Sequence, residues 1–226
     1  MKRLLKINAY WQILAAQAVL IMLTAFLEEY FFFYVLFALV MLDIFWWVIA
    51  SVITRRGLRL IAAAAGLSAT VAGGFAYHPS LGESPLFLLY LVSSFGFALF
   101  ALIAVMAMIK AVFSSKQVTA DTIVGSICIY VMIGMMFAFI YAGITVIDPA
   151  AFNIEGAGAG SIEHLRDFLY FSYVTMATIG FGDIVPTLPL TKMLTVIEGM
   201  TGPVYLAIMV ARLVGLHMAQ SGAKRS

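Results

Sequence analysis

Apolar positions in this chain run together in long stretches, and polar residues arrive as short punctuation between them. A helix needs ~20 mostly apolar residues to cross a bilayer. Six stretches reach that length, at 9–27, 30–53, 58–77, 85–113, 121–147 and 188–216. The first ends at "EEY", the second at "TRRG" and the third at "HPSLGESP". Thr119 or Asp121 can cap the fifth, and Pro85 suits the first turn of the fourth. The connection between the last two stretches is long and of two kinds. Its first half, "DPAAFNIEGAGAGS", is rich in Gly and Ala and reads as a mobile turret over 148–161. Its second half places Phe168, Phe171, Ser172, Thr175 and Met176 at helical spacing after a start at Ser161 and Glu163. That predicts a helix over 162–177, too short to span. A short helix and a turn between two spans make a re-entrant loop, whose irregular backbone is tolerated at membrane depth only where protein or water surrounds it. The expected fold is an all-α membrane protein of six transmembrane helices plus the re-entrant loop. It divides into a four-helix part at 1–117 and a second part at 118–226.

Composition agrees that lipid is the main solvent. Of 226 residues 64% are hydrophobic and 11% charged, against ~45–50% apolar and ~25% charged in soluble domains. A net charge of +2 gives no reason to expect a nucleic-acid partner. Cys128 has no second cysteine to pair with, and His78, His164 and His217 show no metal-ligand spacing. No nucleophile and base stand together, so an enzyme is not expected. With the N-terminus set inside, Lys2, Arg3, Lys6, Arg55, Arg56, Arg59, Lys110, Lys116, Arg212, Lys224 and Arg225 share the inner side, and only Arg166 and Lys192 lie outside. That bias predicts a multi-pass protein of the cell membrane with both termini cytoplasmic. The competing reading, a cleaved leader ending at "AAQA", would leave five spans and invert the bias.

The polar turn at 175–186 reads "TMATIGFGDIVP". Gly180 and Gly182 adopt positive φ without a Cβ penalty. Alternating them with Ile179 and Phe181 lets successive carbonyls face one side. The carbonyls of Thr178, Ile179, Gly180 and Phe181, with the Thr178 hydroxyl, then form a row of oxygens. Four such rows around an axis would replace the water shell of a dehydrated cation. The short helix aims its negative end at the same axis.

"TMATIGFGD" resembles the pore-loop signature of the bacterial-type potassium-channel family, Thr-x-x-Thr-x-Gly-(Tyr/Phe)-Gly-Asp, and the likeness covers the last two spans. The resemblance implies an outer helix at 121–147, a pore helix at 162–177, a filter at 178–182 (Thr178, Ile179, Gly180, Phe181, Gly182) that binds K+, and an inner helix at 188–216 with a short cytoplasmic tail. Thr175, Phe171, Asp183 and Glu198 are the expected supports of the filter. The chain departs from the family at Ala177, Phe181 and Phe171, where Thr, Tyr and Trp are frequent. Without the tyrosine hydroxyl or an indole N–H, a cuff on Phe181 and Phe171 is expected to hold by packing alone. The "TVAGGFAY" of the third span has no helix before it and is no second filter. One filter per chain implies a homotetramer.

Gly202 stands where these channels often place a hinge glycine. Pro203 beside it removes a backbone donor, so the pair is a candidate gating hinge, with close helix packing as the alternative. Two acids fall inside spans. Glu198 is expected to brace the pore helix through Ser172 or Thr175, or else to face the conduction cavity; Asp43 reads as a protonation sensor or a polar tie. The fourth span carries one basic residue, Lys110, near its end, too little charge for strong voltage gating. Control is expected from the membrane part, the filter or a separate regulatory subunit, with membrane lipids as the other partner. The expected function is passive, potassium-selective conduction. A weakly selective cation channel and a nonconducting scaffold or auxiliary subunit are the rivals.

Overall fold

The structure, a computed structural model, describes residues 2–24, 31–76, 83–115, 117–154 and 165–223. Seven α-helices lie among them: α1 (Lys2–Thr24), α2 (Phe31–Trp47), α3 (Arg56–Ala76), α4 (Glu83–Phe113), α5 (Ala120–Ile147), α6 (Leu165–Met176) and α7 (Pro189–Ala223). A π-helical turn, Val48–Val52, extends α2, and two short strands, β1 (Phe152–Ile154) and β2 (Ile184–Pro186), pair antiparallel. Five helical segments among the described residues are long and apolar enough to cross a membrane: Val35–Val52, Arg56–Phe75, Pro85–Phe113, Ala120–Ile147 and Pro189–Gln220. The chain is therefore a multi-pass membrane protein. The apolar part of α1, Ala9–Thr24, is shorter. The expected remainder of the first span, 25–27, lies outside the described residues.

Local chemistry sets the helix ends. Thr119 is extended, and its Oγ1 accepts from the Thr122 N–H at 3.3 Å, which starts α5. At the far end Asp148 leaves the helix. Its carboxylate accepts from the Ala150 N–H at 2.9 Å and opens a 3-10 turn, Pro149–Ala151. The π turn closes by an Ile53 N–H to Val48 carbonyl bond of 3.1 Å, and Arg59 Nε donates to the Ile53 carbonyl at 2.5 Å. A π turn widens the helix by one residue per ring, so the α2–α3 junction bulges instead of tapering.

α5 is the pillar. Two-thirds of its span (67%) is buried inside the chain's own fold, against 17% for α7. On one side of it an aromatic cluster fills the space to α4 and α2: Phe97 stacks on Phe139 at 4.8 Å, and Phe45 meets Phe100 at 4.0 Å. α1 packs on α5 too, where the buried Gln17 amide donates to the Cys128 carbonyl at 3.2 Å. Hydrocarbon tails give apolar helices little reason to prefer one another over lipid, so hydrogen bonds and close fits carry helix pairing. α7 shows this well. It buries little, yet polar contacts tie it to its own chain at several heights.

Candidate functional site

The site is built where α6 stops. The Thr178 N–H bonds the Thr175 carbonyl at 3.0 Å, and the Ile179 N–H reaches back to the Val174 carbonyl at 2.9 Å. This pair of bonds is the Schellman closure of a helix, which needs a left-handed residue in the position Thr178 occupies. Glycine normally fills it. Thr178 takes it with φ +58°, a costly conformation for a β-branched residue, of order 1–3 kcal/mol. Gly180 and Gly182 are left-handed as well, at φ +60° and +82°. Ile179 and Phe181 between them are not. The hand of the backbone thus alternates residue by residue from 178 to 182, the condition for successive carbonyls to face one side. The sequence reading placed this property on the two glycines and missed it at Thr178.

Among the described residues nothing closes over this row. A Cβ on Gly180 or Gly182 would meet no atom within 4 Å, and Ile179 and Phe181 are 55% and 68% exposed.

Behind the row, three helices meet at one carboxylate. Glu198 of α7 is fully buried. It accepts from the Tyr141 hydroxyl of α5 at 2.6 Å and from the Ser172 hydroxyl of α6. The Ser172 hydroxyl also lies 2.7 Å from the Gly134 carbonyl of α5. Of the two partners expected for Glu198, the structure selects Ser172; Thr175 packs instead beside Gly199. Tyr141 was not foreseen. Nearby, the Tyr173 hydroxyl donates to the Val131 carbonyl at 2.9 Å, and its ring covers Gly134 so closely that no Cβ would fit. Gly202 abuts the Met176 carbonyl in the same way, and a Cβ there would overlap that oxygen. Its missing side chain therefore seats α7 against the end of α6. α7 runs on through Pro203 without a break.

The outer supports differ from the expectation. Phe171 is buried, with its ring 5.5 Å from both Tyr141 and Phe152. It faces α5 and β1, and among the described residues its ring contacts within the chain are with these two elements. The ring stacked on Phe181 is Tyr170, at 6.3 Å and an interplanar angle of 1°. Asp183 lies beside the Tyr170 hydroxyl. Asp183 accepts from the Ile184 N–H at 3.1 Å. The ring beside Phe181 thus comes from a residue the sequence reading passed over.

The turret expectation needs correcting as well. Its first residues are not a mobile loop. β1 pairs with β2, Ile154 opposite Ile184. The Thr187 N–H and the Thr191 hydroxyl both reach the Ala151 carbonyl, each at 3.0 Å. The chain leaving the filter is thereby tied to the chain leaving α5. The rest of the turret, and 162–164 of the expected pore helix, lie outside the described residues. Asp43 is remote from all this: it sits exposed on α2 and joins no part of the site.

This arrangement falls in the stretch of the chain that is similar to ion channels. Residues 159–218 match the family model described as "Ion channel", a stretch that holds α6, the turn and most of α7. Over 101 residues the chain is 31% identical to two-pore potassium channel 4 of Arabidopsis thaliana, across 45% of this chain and 35% of the plant protein. The chain thus spans about a third of the length of that curated relative. No solved structure matches it.

Proposed function

We propose that the protein is a potassium-selective channel in which four copies surround one axis and K+ is the transported ion. The observation that carries this reading is the alternating hand of the backbone at Thr178, Gly180 and Gly182, directly after a short helix. One row of carbonyls is half-solvated and selects nothing; four rows make successive cages, and ions move through them by knock-on. The open space beside Gly180 and Gly182, and the exposed face of α7, are where the other copies would sit. The name of the plant relative supports potassium as the ion. Thr175, Glu198 and Asp183 hold the loop in place, and Phe171 keeps the helix behind it fixed to α5.

In this reading α1 is the sixth membrane crossing, both termini face the cytoplasm, and residues 1–117 form a scaffold around the pore domain. Voltage acts weakly, because α4 carries only Lys110, in its last turn. Gly202 and Pro203 are the pivot: Gly202 holds the upper part of α7 on α6, and Pro203 leaves the Gly199 carbonyl without its helical donor, so bending below is easier. A second reading, a less selective cation channel, is favoured by Phe181, which has no hydroxyl to hold the cage width.

Purified protein in liposomes tests both. Potassium-dependent flux that barium blocks, with a bi-ionic reversal potential far from zero against sodium, supports the first. Equal sodium and potassium permeability favours the second. A protein that reconstitutes intact yet passes neither ion is a scaffold, and both readings fall.

A further inference from the structure

Where the α2–α3 junction meets the α4–α5 junction, the fold leaves a half-open cavity of about 660 Å³. That volume suits a small-molecule site. Helices that cross in alternation bring the end of α2, the start of α3, the end of α4 and the start of α5 to one membrane face. The cavity therefore lies at headgroup depth. Its lining is of two kinds. Leu58, Ile103 and Met106 are apolar, while Arg55 and Lys110 bring two cations. Both cations are exposed, and among the described residues neither pairs with a carboxylate. One acid, Asp121, shares the lining, as does the Tyr10 phenol, so positive charge prevails. The π turn adds a third observation. Ser51 and Val52, at its end, line the cavity, so the bulge in α2 shapes the wall.

We propose that this cavity binds the headgroup of an anionic phospholipid, its phosphate between Arg55 and Lys110 and its acyl chains along the apolar lining. A soluble anion would use the cations and leave that lining wet. A zwitterionic lipid would cover the lining but bring no net charge to the cations. The site is separate from the conduction loop, yet it touches the turn that holds the inner helix. Val112 and Ser115 line the cavity, and their carbonyls each accept from Arg212 Nη2 of α7 at 2.9 Å. An occupant that shifts this turn is felt directly at α7.

The test uses the full chain in detergent micelles with photoactivatable phosphatidylglycerol or phosphatidylcholine of the same acyl chains. Peptide mapping is the readout, so the result stands apart from whether the protein conducts. Phosphatidylglycerol should label 51–58 and 103–115, and phosphatidylcholine should not. Removing each cation should weaken labelling roughly fivefold, since a basic residue near an anionic surface contributes about 1 kcal/mol; Arg55→Gln with Lys110→Gln should reach roughly 25-fold. Asp121→Asn should raise labelling. Equal labelling by the choline lipid overturns the proposal. So does undiminished labelling in the double variant, or a failure of Asp121→Asn to increase it. Competition by inorganic phosphate as effective as that by unlabelled phosphatidylglycerol would make it a soluble-anion site and also overturn it.

Discussion

Replacing Glu198 separates two accounts of how the pore helix is held: by hydrogen-bond geometry or by charge. Glu198→Ala removes the acceptor shared by Tyr141 and Ser172. Ser172 is spared, because the Gly134 carbonyl lies within reach to accept. The Tyr141 hydroxyl is not: it is fully buried and loses its partner. An orphaned buried hydroxyl costs about 1–3 kcal/mol, and the void left by the shortened side chain adds to that. Glu198→Gln should cost less than about 1 kcal/mol, because an amide offers one acceptor and two donors. Its oxygen can take the Tyr141 proton while its nitrogen donates to Ser172, which keeps Gly134. The double variant Tyr141→Phe with Glu198→Ala has no hydroxyl to orphan and should be more stable than Glu198→Ala alone, with a coupling of about 1 kcal/mol. Thermal melting of the solubilised protein, followed by fluorescence size-exclusion, ranks the four proteins. The expected order runs from the parent through Glu198→Gln and the double variant to Glu198→Ala. If Glu198→Gln melts as low as Glu198→Ala, charge and not geometry is the brace, and the reasoning fails. If the double variant melts below Glu198→Ala, Tyr141 is not the group left orphaned.

Other substitutions follow from close fits and single bonds. Gly202→Ala places a methyl on the Met176 carbonyl and should destabilise the protein by about 1–3 kcal/mol as overpacking, read as a lower melting temperature before any gating change is interpreted. Gly134→Ala collides with the Tyr173 ring and should be at least partly rescued by Tyr173→Ala, whereas no rescue would place the strain elsewhere. Tyr170→Phe removes the hydroxyl beside Asp183 but keeps the ring on Phe181; in the proposed channel, liposome recordings should show a less stable conducting state with unchanged protein yield. Arg212→Gln weakens the tie to the Val112 and Ser115 carbonyls, which should cost about 1.5–3 kcal/mol because charged hydrogen bonds are the stronger kind, and hydrogen exchange in the last turns of α7 should accelerate.

Some of this was legible in the sequence and some was not, for physical reasons. The long helices announced themselves through length and hydropathy, and Thr119 marked the start of α5 because a cap acts on its immediate neighbours. The glycines of the turn were legible because glycine is the cheap residue for positive φ. Thr178 was not, since its own preference opposes the conformation that the end of α6 imposes. Tyr141 stands 57 residues from Glu198, and Arg212 stands 100 from Val112. Nothing local foretells such pairings. β1 and β2 are three residues each, too short for an alternating pattern to emerge. The neighbours of Phe171 were not legible because helical spacing gives the period of a face but not which neighbour the face meets. A one-residue rotation exchanges Phe171 for Tyr170.

The ribbon of β1 and β2 carries one more consequence, about the order in which such a pore is made. The loop from 178 to 182 is pinned at its inner end by the carbonyls of Val174 and Thr175 and at its outer end by the ribbon. Both anchors belong to the same chain. A newly inserted chain can therefore shape this loop by itself. In the proposed four-copy assembly, biogenesis would then bring already shaped loops into register, instead of threading four loose loops together at the axis.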